Sequence, residues 1–106
     1  MIIELRQYRM KAGQKQNWIK FMEEEIIPFQ VSKGMLVAGS FTGLEEEDLY
    51  VWIRRFENEQ ERKRLYEAVY ESDYWKNELS PRVGDMMDRS KIKVTLLEAT
   101  SKSVIR

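Results

Sequence analysis

The chain predicts an α+β fold: a four-stranded antiparallel sheet built in the order βαββαβ with its helices on one face, the split βαβ or ferredoxin-like pattern. Three observations carry it. Leu49-Tyr50-Val51-Trp52-Ile53-Arg54-Arg55-Phe56 is rich in β-branched and aromatic residues and ends where a helix start is written, at Asn58 with Glu61 three residues on. Between Trp18 and Phe29 the apolar spacing changes from two to three and four, the interval of an amphipathic helix. The segments follow one another as strand, helix, strand, strand, helix, strand. At 106 residues there is room for one core, so residues 1–106 form a single domain with a polar tail over 98–106.

Residues 2–10 read as the first strand, with Ile3 and Leu5 on one face and Glu4, Arg6, Tyr8 and Met10 on the other. Lys11-Ala12-Gly13 breaks it. A helix from about Gln14 turns Trp18, Phe21, Met22, Ile26 and Phe29 inward, with Pro28 expected to kink or end it and Gly34 to stop it. Met35 to Thr42 is a second strand with Gly39 at a bulge or close approach. The acidic turn over residues 43–48 joins it to Leu49–Phe56 as a hairpin. The helix after Asn58 turns Leu65, Ala68 and Val69 inward, with Tyr66 and Tyr70 on a flank. Ser72 to Trp75 starts a further helical turn, and Ser80-Pro81 supplies an N-cap and first position for a last short helix through Met87. Ile92 to Glu98 is the final strand.

Read with period two, Leu49, Val51 and Ile53 make an aliphatic face and Tyr50, Trp52, Arg54 and Phe56 an aromatic one that carries a cation. The aliphatic face reads as core beneath the helices. The other, with Glu4, Arg6 and Tyr8 beside it, is too large an aromatic patch for a monomer to leave in water. The expectation is therefore a homodimer, a second copy packing sheet to sheet and closing a shared barrel, with Trp52 and Phe56 at the interface. Charges buried there must pair with each other or with a ligand. Glu4, Arg6, Tyr8, Tyr50, Trp52 and Arg54 are the candidate ligand-binding residues, for a small organic ligand between the sheet and the helices. A barrel filled with side chains, serving only as an interaction module, is the alternative.

Composition removes many other functions. Lys plus Arg equals Asp plus Glu, 18 each, and no basic block stands out, which argues against nucleic acid as a partner. No strand carries the glycine-and-aromatic stretch with which ferredoxin-like sheets stack RNA bases. With no apolar run near the ~18 residues of a membrane span and no signal-peptide core, membrane insertion and secretion are not expected, and the chain reads as cytoplasmic. There is no cysteine and no histidine, which excludes thiol nucleophiles, zinc-thiolate sites, histidine-based proton transfer and histidine-ligated haem. Glu23-Glu24-Glu25 points three ways around a helix and the 43–48 loop lacks the spacing of a calcium loop, so no metal and no cofactor is expected.

Four segments together resemble the NIPSNAP family. Glu4-Leu5-Arg6-Gln7-Tyr8 with Gly13 is similar to its Y-E-L-R-x-Y … G opening. Leu36 to Phe41 is similar to its L-V-G-x-W/F strand, and Val51 to Phe56 with Glu61-Arg62 to its Trp-Arg-Tyr … E-x-R segment. Ser72-Asp73-Tyr74-Trp75 resembles its D-P-x-W turn. The resemblance spans residues 2–98 and implies a dimeric α+β barrel, a superfamily that includes cofactor-independent monooxygenases, isomerases and haem-degrading enzymes. It implies no particular reaction, and Trp52 stands where the family often has histidine. In cofactor-independent oxygenation the protein supplies an anion stabiliser and a dry pocket. Arg6 or Arg54 would hold the anion, Tyr8 or Tyr50 would donate a hydrogen bond, and Glu4 would be the base if burial raised its pKa.

Overall fold

In the computed structural model, which describes residues 1–106, the four strands are β1 (Ile2–Arg9), β2 (Leu36–Thr42), β3 (Leu49–Phe56) and β4 (Lys93–Leu97). They form one antiparallel sheet in the order β2-β3-β1-β4. The central pair aligns Glu4 with Arg54, Arg6 with Trp52 and Tyr8 with Tyr50, so the charged and aromatic residues of two strands share one face. A bulge between Val37 and Gly39 shifts the register of β2 against β3. No helix is long and apolar enough to cross a membrane.

Helix α1 runs over residues 15–32, α2 over Glu59–Tyr70 and α3 over 75–86. Asn58 caps α2 as its position demands, its Oδ1 accepting from the Glu61 amide at 2.8 Å. Gly34, at φ +107°, supplies the left-handed residue that ends α1. The two prolines neither end nor start a helix. Met22–Ile26 and Trp75–Leu79 are π-helical, and each passes through one further helical residue into a proline, Pro28 or Pro81. A proline inside a helix lacks the amide and crowds the carbonyl four residues back. Widening the turn just ahead of it relieves that conflict. Ser80 is accordingly a helical residue within α3, not its N-cap.

The helices cover one face of the sheet, but it is the face opposite to the one the aliphatic pattern suggests. Tyr50, Trp52, Arg54 and Phe56 are each at most 2% exposed, as are Glu4 and the inward residues Trp18, Phe21, Met22, Leu65 and Val69 of α1 and α2. Trp52 and Phe56, expected at a dimer interface, are therefore interior residues of a single chain. Trp52 belongs to the main core with Tyr8, Trp18 and Tyr50, and Phe56 to a smaller core with Met35, Leu65 and Val69. The uncovered face carries Leu5, Val51 and Ile53. Opposite Val51 sits Phe41, 51% exposed, and opposite Ile3 sits Leu97, 44% exposed.

Candidate functional site

Beneath the helices the candidate residues divide into an ion cluster and a cavity. Glu4 and Arg54 stand opposite one another on β1 and β3, and neither side chain is exposed. Arg54 donates to Oε1 of Glu4 through Nε at 3.1 Å and also through Nη2. Its Nη1 donates to Oε1 of Gln30 and to the Tyr70 hydroxyl, both at 2.8 Å. The other carboxylate oxygen of Glu4 accepts from the Tyr66 hydroxyl at 2.6 Å and from Nε of Arg62 at 2.9 Å. Helix α2 supplies three of these groups because Arg62, Tyr66 and Tyr70 recur every four residues on one stripe. Burial works against the charge on Glu4, but Arg54, the Tyr66 hydrogen bond and Arg6 outweigh it and hold the carboxyl below its usual value of 4.5. Burial pushes the Tyr66 phenol up to about 12, so it remains a neutral donor.

Next to this cluster lies a cavity of about 140 Å³. The sheet contributes Arg6, Tyr8 and Trp52 to its wall; α1 contributes Trp18, Met22, Ile26 and Gln30. Tyr70, Trp75, Val83 and Met87 close the far side. Arg89, the one exposed lining residue, marks its rim with the half-buried Ile92. Both π-helical turns border it, through Met22 and Ile26 in one and Trp75 in the other. The walls are mostly apolar, but the polar groups have a distinct pattern. Nε of Arg6 donates to the Tyr8 hydroxyl at 2.8 Å and Nη1 to the Tyr66 hydroxyl at 3.2 Å, while Nη2 has no partner in the chain. Burial opposes the charge of Arg6, yet the surrounding tyrosine oxygens outweigh it and its pKa is raised. Burial pushes the Tyr8 phenol up as well. The indole N–H groups of Trp18 and Trp52 are buried with no hydrogen-bond partner at all.

Of the six candidate ligand-binding residues, Arg6, Tyr8 and Trp52 line the cavity. Glu4 and Arg54 form the cluster beside it, and Tyr50 is tied to Ser40 (2.6 Å between hydroxyl oxygens) in the aromatic core. Glu4 does not fit the role of a base. It does not line the cavity, and its pKa is lowered where a base needs it raised. The residues that sequence reasoning left out are Gln30, Arg62, Tyr66 and Tyr70. The four-residue repeat along α2 is a signal that could have placed the last three on one inward stripe. A wider groove of about 540 Å³ between residues 10–16 and Glu47-Asp48 is lined mainly by polar and charged groups, among which Lys15 and Glu47 already pair at 3.5 Å.

The NIPSNAP family model matches residues 3–102, and no curated protein matches the chain. Among solved structures, it is similar to a NIPSNAP family protein from Agrobacterium tumefaciens, at 22% identity and TM-score 0.87 over 99% of this chain and 98% of that one. It is also similar to an uncharacterized NIPSNAP domain protein from Burkholderia xenovorans, at 17% identity and TM-score 0.85 over 97% and 98%. An antibiotic biosynthesis monooxygenase shares the fold more distantly, at 14% identity and TM-score 0.68 over 94% and 99%.

Proposed function

The chain belongs to the NIPSNAP family, and on that premise we propose that it binds a small organic ligand in the cavity between the sheet and the helices, as a homodimer joined through the uncovered face of the sheet. The cavity is the observation that carries the first half: an apolar wall with a few converging polar groups is the usual make-up of a small-molecule site. Its volume of about 140 Å³ is close to the ~150 Å³ of a dry cavity that takes one benzene, so the ligand is compact, about one ring in size. A barrel filled with side chains would leave no such space.

The uncovered face supports the second half. Leu5, Val51, Ile53, Phe41 and Leu97 make a continuous apolar surface across all four strands, of a kind that proteins cover with a partner. A second copy offers the same flat apolar sheet in return, with the dyad that homodimers favour. The dimer is thus expected through the aliphatic residues, not through Trp52 and Phe56.

The fold shared with an antibiotic biosynthesis monooxygenase raises oxygenase-type or isomerase-type chemistry as the finer reading. The cavity lining offers a donor for a developing anion in Arg6 and a hydroxyl in Tyr8, but no carboxylate or other base. Binding is therefore the activity the geometry supports best, and any proton loss belongs to the ligand itself. Two measurements test the proposal. Toluene titrated into the protein should shift the indole N–H resonances of Trp18 and Trp52, and unmoved resonances at saturating toluene would remove the cavity reading. Native mass spectrometry should find a dimer for the wild type and a folded monomer for Val51→Asp. A Val51→Asp dimer would move the interface elsewhere.

A further inference from the structure

The charges around the cavity do not balance. Arg6, Arg54 and Arg62 bring three guanidiniums to one site. Glu4 answers Arg54 and Arg62 directly, and the exposed Glu59 takes a second contact from Arg62 at 3.2 Å. Arg6 is left with the weakest share, a 3.6 Å approach to Glu4 and two tyrosine hydroxyls, though its side chain is only 15% exposed. Its Nη2 is free, and the indole donors of Trp18 and Trp52, each 1% exposed, are free as well. A buried donor left unpaired costs about 1–3 kcal/mol, and more where the group is charged. The two indole groups are buried donors of this kind, while Arg6 Nη2 is unpaired but still reached by solvent. All three side chains line a single cavity with no acceptor-only group among its residues.

Resting on the binding reading above, we infer that the ligand is a compact organic monoanion: an apolar body of about one ring bearing one carboxylate, its oxygens taken by Arg6. The apolar body lies against Met22, Ile26 and Val83, which suit a ring and offer a polar ligand nothing. A carboxylate accepts several donors at once and cancels one positive charge, the number left over when three guanidiniums are set against Glu4 and Glu59. Arg89 at the rim, hydrogen-bonded to Ser80 only, adds a second attraction for an anion on its way in. Neutral molecules of the same shape would fill the space and leave the cation unanswered.

The test is a titration of the purified full chain with benzoate and with benzamide, its uncharged near-isostere, followed by calorimetry and by the indole N–H resonances. Benzoate is expected to bind about tenfold more tightly or better, the worth of a charge-assisted hydrogen bond over a neutral one, and to move the Trp18 and Trp52 signals. Arg6→Gln should bring the two ligands to within about threefold, and Arg6→Lys should keep the preference for benzoate. Equal binding of benzoate and benzamide to the wild type would overturn the charge inference while leaving the cavity reading intact. Failure of benzoate, benzamide and toluene alike would overturn both. The wild-type comparison decides the matter even if Arg6→Gln does not fold.

Discussion

Along β3, Tyr50, Trp52, Arg54 and Phe56 are at most 2% exposed, while Leu49, Val51, Ile53 and Arg55 between them are all partly open to solvent. The two sets alternate in one strand, so the sheet has turned its charged and aromatic side inward and its aliphatic side out. By transfer free energy per residue the reverse looks better, since burying a charge is costly. The inward face wins because its central pair of charges arrives already matched. Glu4 and Arg54 are cross-strand neighbours, and Gln30, Arg62, Tyr66 and Tyr70 reach them from two helices. Its aromatic rings also fill the wide gap between sheet and helices, packing edge to face at centroid separations near 6 Å. The aliphatic face needs no such matching and can be completed by any flat apolar surface, a second copy included.

The largest expected effect lies in removing that match. Glu4→Gln keeps the shape and deletes the only carboxylate in the cluster, leaving Arg54 and Arg6 buried without a counter-charge. Breaking a buried pair in this way costs about 3–5 kcal/mol, read as a lower urea midpoint at unchanged slope. Val51→Asp on the other face should leave the monomer's unfolding free energy within about 1 kcal/mol of the wild type, its damage confined to association. Comparable costs at the two positions would break the contrast between a self-sufficient face and one proposed to be shared.

The strand order, the hairpin, the Asn58 cap and the Gly39 bulge were all legible from spacing and turn chemistry, because those are local signals. The roster of the candidate site was partly legible too: Arg6, Tyr8 and Trp52 stand in the cavity wall and Glu4 and Arg54 beside it. Period two divides a strand into two faces but does not say which one the helices cover. That choice depends on pairing across distant elements, Glu4 with Arg62 at 58 residues' separation and with Tyr66 at 62. The prolines misled for a related reason. Pro28 and Pro81 carry a strong local stop or start signal, which the preceding π-helical turns override.

The pH dependence of stability should be a property of the covered face, and a smaller effect than loss of Glu4. The folded carboxyl of Glu4 titrates below 4.5, so the unfolded chain takes up the proton first as pH falls. Its contribution is present above pH 4.5 and is lost on acidification through the folded pKa. At the other end the phenols of Tyr50 and Tyr66 ionise at about 12 in the fold and near 10 when unfolded. Between those values the unfolded chain holds fewer protons, so stability falls as pH rises. Urea midpoints measured across pH 10 to 12 should decline for the wild type and decline less for Tyr66→Phe. Identical slopes would place the alkaline sensitivity outside this cluster.

The smallest expected effect on the fold, and the sharpest probe of the open face, is Gly39→Ala. A Cβ at Gly39 would stand 2.5 Å from the edge of the Phe41 ring, which lies back over the glycine on the uncovered side of β2. In a free monomer that ring, half exposed, can swing away. Its displacement and the conformational entropy that alanine saves in a strand, about 0.5–1 kcal/mol, act in opposite directions, so monomer stability should change by less than about 1 kcal/mol. Within a sheet-to-sheet dimer the ring has nowhere to go, and the same methyl should weaken association. A dilution series of the variant, read by native mass spectrometry beside the wild type, is expected to show dissociation at higher concentration with the monomer still folded. Unchanged association would mean that Phe41 still faces solvent in the assembled protein, and the uncovered face would then lose its proposed role as the surface two copies share.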